Sequence, residues 1–158
     1  VRGPMVFDGY LDRPEANRRA FVDGWFDTGD VGRRNGRGEL IVDTRASERI
    51  VTGGENVDPM EVEAVLRHHP SVSEVCVVGL EDPEWGQVVA AAVEPDGEAA
   101  SPESLRDYGR QSLAAFKCPK RWQIFERLPR TGSHKIDRRR VRDQFDSVRQ
   151  EDGSCRNR

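Results

Sequence analysis

A single lysine stands on a turn of small and polar residues, Thr131-Gly132-Ser133-His134-Lys135, and the arginines Arg138, Arg139, Arg140 and Arg142 follow it where a helix should begin. An ammonium is a compact charge suited to the negative charge that develops in phosphoryl or acyl chemistry. Arginines at a helix start oppose the dipole, so local stability is a poor reason for them and anion handling a better one. A patch for nucleic acid, or a solvated surface with no task, accounts for the same spacing equally well.

Three further places carry candidate chemistry. In Gly24-Trp25-Phe26-Asp27-Thr28-Gly29-Asp30, a carboxylate on a tight Thr-Gly turn is held rigidly and can accept hydrogen bonds from both hydroxyls of a ribose diol. Taken alone, Thr-Gly-Asp is also just a turn. Arg45 follows a strand, where its guanidinium fork could grip a phosphate or hydroxyls; in so charged a chain a solvated arginine is the plainer reading. Thr52-Gly53-Gly54-Glu55-Asn56-Val57 permits positive φ and lets a narrow ligand pass close to bare backbone. It matches neither a Walker loop nor a dinucleotide fingerprint, so it speaks for close approach more than for phosphate binding.

The elements that must position these residues differ between the two ends of the chain. Residues 1–44 are rich in Gly and Asp, have one short helical stripe from Pro14 to Phe21 and one strand, Glu39 to Val42, and offer too little apolar surface to bury by themselves. The polar stretch 43–48 reads as a boundary. Beyond it Arg49-Ile50-Val51 forms a short strand, and a helix opens at Asp58 with Pro59 at its first position, Glu61 three residues after the cap and Val62, Val65 and Leu66 as its stripe. Pro70 is expected to end it. Val72 to Leu80 and Gln87 to Val93 are strands joined by a loop at 82–86, and Ser101-Pro102-Glu103 opens a second helix carrying Leu105, Tyr108, Leu113 and Phe116 toward Pro119. Trp122 to Phe125 is a further strand. A last helix begins near Asp137 with Val141 and Phe145 inward, and a disordered tail is expected over 149–158. The fold class is α+β, a short mixed sheet flanked by helices.

Composition excludes several classes. Of 158 residues, 34% are charged and 35% hydrophobic, with a net charge of -3, which describes a polar surface over a modest core and argues against nucleic acid as the partner. No stretch approaches the roughly 20 apolar residues of a membrane span, and the reading is cytoplasmic. Cys76, Cys118 and Cys155 are odd in number and widely spaced, so neither a disulfide framework nor a zinc site is expected. His68 and His69 fall at a helix end, where positive charge suits the dipole.

In this order the segments resemble the adenylate-forming superfamily of acyl-CoA synthetases, luciferases and nonribosomal-peptide adenylation domains. The resemblance rests on Gly9, Tyr10 and Phe21 ahead of the 24–30 element, Arg45, Gly53 to Val57 before the Pro59-Met60-Glu61-Val62-Glu63 helix, Asp82-Pro83-Glu84-Trp85-Gly86, Phe116-Lys117-Cys118-Pro119-Lys120, and Pro129 to Ile136. Gly53 to Val57 together with Asp82 to Gln87 looks somewhat like the succinylbenzoate-CoA ligases and their fatty-acid or aryl-acid relatives.

The resemblance implies a two-step reaction in which a carboxylic acid and ATP with Mg give an acyl-adenylate and pyrophosphate, and CoA then displaces AMP. Carried over by position, Asp30 would hold the ribose hydroxyls with help from Arg45, and Lys135 would contact carboxylate and phosphate oxygens during adenylation. Gly53, Gly54 and Glu55 would line the pantetheine passage, Phe116 and Lys120 would lie near the CoA nucleotide, and Ser47 would be the hinge. The family's ATP phosphate loop and magnesium-binding element lie upstream of everything matched. Residues 1–44 are therefore expected to be the end of a large N-terminal domain that would act in cis or in trans, and 45–148 the mobile C-terminal domain. A non-catalytic CoA-binding or docking module is the alternative. Three positions depart from the family pattern: Ser47 where Asp or Lys is usual, His134 where Gly or a small polar residue is common, and Cys118 where CoA ligases often have Arg.

Overall fold

A computed structural model describes residues 1–97 and 101–153, which form two compact units, Val1–Ser47 and Glu48–Arg158. In the first, helix α1 (Pro14–Ala20) runs into a small hairpin of β1 (Phe21–Val22) and β2 (Trp25–Phe26), and β3 (Asp30–Arg34) pairs antiparallel with β4 (Leu40–Arg45). Sequence reading missed β1, β2 and β3, which are short and carry no clean alternation. Phe7, Tyr10, Phe21 and Phe26 meet at ring separations of 5.0 to 5.5 Å. These rings stay partly exposed, and the first fully buried hydrophobic residue in the described chain is Ile50, so this unit has no closed core of its own.

A 3-10 turn over Ala46–Glu48 leads to β5 (Ile50–Thr52), β6 (Glu55–Val57), α2 (Pro59–Leu66), β7 (Val72–Asp82), β8 (Gly86–Pro95), α3 (Pro102–Arg110), β9 (Arg121–Ile124) and α4 (Arg138–Gly153). Strands β6, β5, β8 and β7 pair antiparallel in that order, and β9 joins β8 in parallel, which makes the sheet mixed. β7 and β8 form its longest hairpin, with Val77 opposite Ala91.

Both faces of that hairpin are buried, so alternate side chains feed two cores. Val75, Val77, Val89, Ala91 and Val93 pack with Val62 and Leu66 of α2 and Leu105 of α3. Cys76, Val78, Leu80, Val88, Ala90 and Ala92 pack with Phe125, Leu128, Val141 and Phe145 beneath α4. The domain is thus an α+β layer arrangement with α2 and α3 on one face and α4 on the other.

Local rules fix the helix starts. Asp58 accepts a hydrogen bond from the Met60 N–H, and Ser101 accepts one from the Ser104 N–H, with proline in the first turn each time. Two ends fall short of expectation. α2 stops at Leu66, where the His68 ring donates to the Ala64 carbonyl and His69 is buried, its Nδ1 accepting from the Ser71 N–H and its Nε2 meeting Ser104 Oγ. α3 ends at Arg110 rather than near Pro119, because Gly109 weakens the helix where it approaches Leu66, and the chain reforms only as a 3-10 turn at Ala115–Lys117. Helix α4 continues to Gly153, past residue 149 where a disordered tail is expected; residues 154–158 of that tail lie outside the described residues.

Candidate functional site

In the first unit, the turn before β3 is built by its own side chains: Asp27 accepts from the Gly29 N–H and Thr28 Oγ1 from the Asp30 N–H. Gly29 sits at φ +69°, in the left-handed region that glycine takes without cost. The register then sets Asp30 opposite Arg45, whose Nε lies 3.2 Å from Asp30 Oδ1 and whose Nη1 donates to the Thr28 carbonyl. The second carboxylate oxygen of Asp30 has no hydrogen-bond partner among the described residues. Beside the turn is a cavity of about 420 Å³ lined by Tyr10, Ala16, Arg19, Ala20, Asp27, Thr28 and Gly29. Ser47 closes this unit within the 3-10 turn.

In the second unit, Thr52 and Glu55 flank a two-residue hairpin turn whose central glycines, Gly53 and Gly54, both have positive φ (+56° and +85°). Gly53 is also a close approach: a Cβ there would lie 2.7 Å from Trp85 Cε3, and its N–H donates to the Trp85 carbonyl. Trp85 is set by a turn in which Asp82 accepts from the N–H groups of Glu84 and Trp85. The bond from Trp85, foremost among its surroundings, holds the Asp82 carboxyl below its ordinary pKa. Lys120 Nζ stands 3.9 Å from the Trp85 ring centroid, a cation–π distance.

These residues enclose a cavity of about 300 Å³ lined by Thr52, Gly53, Glu55, Trp85, Ala115, Phe116 and Lys120. Four of the five residues that sequence reading assigns to CoA therefore meet at one place; Gly54, at the outer corner of the turn, is not part of the lining. Trp85 was named only as part of a motif and given no role. Its signal was legible, since an aromatic just after Asp-Pro-Glu and before a glycine is presented by the turn rather than buried by a strand. Lys117 points elsewhere, held by both oxygens of Glu61 at 2.6 and 2.7 Å.

Lys135 lies in neither cavity. Its loop is closed by a bridge between Arg130 and Ile136, by Thr131 N–H to the Lys135 carbonyl and by His134 N–H to the Thr131 carbonyl. His134 is forced to φ +62°, which gives a physical reason for glycine to be common at this position and makes the histidine strained rather than merely bulky. Lys135 is exposed and forms no ion pair among the described residues.

Arg138, read from sequence as part of an anion-handling or nucleic-acid cluster, is spent inside the domain. Its Nη1 and Nη2 bind Glu63 Oε1 and Oε2 at 2.6 and 2.9 Å, Nη1 also donates to the Val77 carbonyl, and Nε meets Glu48 at 3.2 Å. Burial opposes the guanidinium charge, but the bidentate Glu63 outweighs it and holds the Arg138 pKa above its ordinary value. Glu63 is 6% exposed and takes the Val77 N–H as a third donor. Sequence reading gave this carboxylate no role. No group of three His, Cys, Asp or Glu side chains converges to hold a metal among the described residues, and no helix is long and apolar enough to cross a membrane.

Residues 61–135 match the model of the AMP-binding enzyme C-terminal domain. The chain is 43% identical over 141 residues to a 2-succinylbenzoate-CoA ligase of Bacillus licheniformis, covering 89% of the chain and 29% of that protein. It is also 43% identical over 146 residues to an oxalate-CoA ligase of Arabidopsis thaliana, covering 92% of the chain and 28% of that protein. Among solved structures, the o-succinylbenzoate CoA synthetase of Bacillus subtilis in complex with its acyl-adenylate intermediate superposes with a TM-score of 0.81 at 40% identity, over 91% of this chain and 29% of that one. The chain thus spans less than a third of the length of the proteins it resembles.

Proposed function

We propose that the chain, whose residues 61–135 match the AMP-binding enzyme C-terminal domain, serves the thioester-forming half of an acid-CoA ligase, with CoA entering at the Gly53–Trp85–Phe116 cavity. The observation that carries this reading is the convergence of a bare-backbone turn, two aromatic rings and the Lys120 ammonium around one cavity. The glycine turn admits the narrow pantetheine arm, Trp85 and Phe116 offer faces to the adenine, and Lys120 supplies charge to a phosphate.

The reaction has two steps. A carboxylate oxygen attacks the α-phosphorus of ATP and the bond to pyrophosphate breaks; the CoA sulfur, losing its proton, then attacks the acyl carbon and AMP leaves. In the first step Lys135 places its ammonium against the oxygens that gain negative charge, and Asp30, steadied by Arg45, accepts the ribose hydroxyls through its unpartnered oxygen. Among the described residues no three His, Cys, Asp or Glu side chains converge on a metal position, and the ion that accompanies ATP is assigned to the remainder of the ligase, as is the acid pocket. Ligases for succinylbenzoate and for oxalate are equally similar to this chain, so similarity here selects no acid. The cytoplasm, where ATP and CoA are available, is the compartment assigned.

One second reading, a module that binds CoA and docks on a partner without catalysis, is favoured by the unit from Glu48 onward carrying every lining residue of the Gly53–Trp85–Phe116 cavity itself. Titration of CoA into the 158-residue chain, followed by calorimetry, tests the main proposal. Saturable binding that falls about tenfold or more in Trp85→Ala and Phe116→Ala, the scale of losing one stacked base, is expected. Absence of binding, or equal affinity in both variants, refutes it. ATP-pyrophosphate exchange separates the two readings: supplied with an adenylating domain, the chain restores turnover if it is part of a ligase and leaves it unchanged if it is a module.

A further inference from the structure

A second cavity, of about 360 Å³, adjoins the first and is lined by Arg106, Arg110, Ala115, Cys118, Pro119 and Lys120. Ala115 and Lys120 line both, so the aromatic cavity opens beside a basic one. Among the described residues three cations and no carboxylate line the second cavity. Arg106 and Arg110 are four residues apart on α3 and therefore share a face.

Ion pairing uses little of this charge, although Lys120 also lies over the Trp85 ring. Among the described residues neither Arg106 nor Lys120 forms an ion pair, and Arg110 meets only Asp107, at 3.7 Å with both side chains largely exposed. Lys117, in the same stretch of chain, shows the opposite case, neutralised by Glu61. Complementing the helix dipole accounts for Arg110 in the last turn of α3 but not for Arg106. Like charges gathered around a concavity repel one another, and an anion placed among them relieves that repulsion.

We propose that this second cavity is a phosphate subsite, in which a phosphate of the nucleotide stacked on Trp85 and Phe116 sits between Arg106, Arg110 and Lys120. The proposal rests on the reading of the first cavity as the CoA entrance and adds to it two residues of α3. Cys118 lies at the floor and contributes no charge: burial raises its thiol pKa, so the thiol stays protonated at neutral pH. Arg106 and Arg110 supply the cation fork from the side instead.

The double variant Arg106→Gln/Arg110→Gln, whose side chains lie outside the core, is titrated beside the unaltered chain with CoA and with 3′-dephospho-CoA. The variant should lose about tenfold or more in CoA affinity, the scale of removing charge-assisted contacts, while its thermal unfolding is unchanged. A loss confined to CoA identifies the 3′-phosphate as the occupant, and a loss shared with 3′-dephospho-CoA identifies the diphosphate; both support the subsite. Unchanged CoA affinity in the double variant, with affinity lost in Trp85→Ala, overturns the subsite and leaves the CoA reading standing. No CoA binding to the unaltered chain overturns both.

Discussion

Replacing Arg138 by methionine strips Glu63 of both charged donors and leaves one, the Val77 N–H at 2.8 Å, to a carboxylate that is 6% exposed. The Val77 carbonyl and Glu48 lose their contact to the same guanidinium. Removing one partner of a buried pair costs about 3–5 kcal/mol. The Arg138 side chain keeps 24% exposure, so some water reaches the pair and about 3 kcal/mol is the figure expected. Against a total stability of about 5–15 kcal/mol this is a large share. With a urea slope near 2 kcal/mol/M the unfolding midpoint should drop by about 1.5 M at unchanged slope. The paired variant Glu63→Met/Arg138→Met removes the stranded charge along with its partner, and should recover at least half of the loss. A single variant within about 0.5 kcal/mol of the unaltered chain, the ordinary scatter of surface substitutions, would refute the assignment of Arg138 to the interior.

Two further outcomes follow from the same core. Gly53→Ala must strain a left-handed backbone position and drive its Cβ into Trp85 at 2.7 Å, so a loss of about 1–3 kcal/mol in urea unfolding is expected, with altered Trp85 fluorescence; native stability and emission would show the turn to be unconstrained. The Cys76 thiol is pushed up to about 12, chiefly by burial. Above pH 9 the unfolded chain therefore gives up this proton while the folded chain keeps it. Stability should fall between about pH 9 and 12 by up to about 1.4 kcal/mol per unit from this group, and Cys76→Ala should flatten that slope.

The helix caps and the β7–β8 hairpin were legible because each depends on residues close in sequence: Asp58-Pro59, Ser101-Pro102, and two apolar runs rich in Val and Ala separated by a short turn. Glu63 was named only inside a motif and given no role, although its position carried the signal. Pro59, Val62, Glu63 and Leu66 are all buried, and they fall at i, i+3, i+4 and i+7, so the helical period itself put a carboxylate on the buried stripe. A buried acid demands a cation, but the partner is 75 residues away in sequence, and nothing local distinguished Arg138 from its neighbours. The Asp30–Arg45 pair was half legible. Each residue was singled out, but their meeting depends on the bulged register of β3 and β4, which neither short strand announces.

The basic stretch from 130 to 140 was ambiguous as composition and becomes specific once each charge is followed to its partner. Arg138 is committed to Glu63, Arg140 to Asp137, and Arg130 to the His134 carbonyl with Glu74 near by. A nucleic-acid surface needs cations that remain available to phosphates, and three members of this run are already engaged. Lys135 differs: it has no ion pair among the described residues, and it stands on a loop closed by the Arg130–Ile136 bridge and by the hydrogen bonds of Thr131. Arg130 thus holds the loop in shape, while Arg138 is spent on Glu63. The catalytic role proposed for Lys135 asks for a cation on a backbone already closed, because a charge placed beforehand meets developing negative charge with less reorganisation.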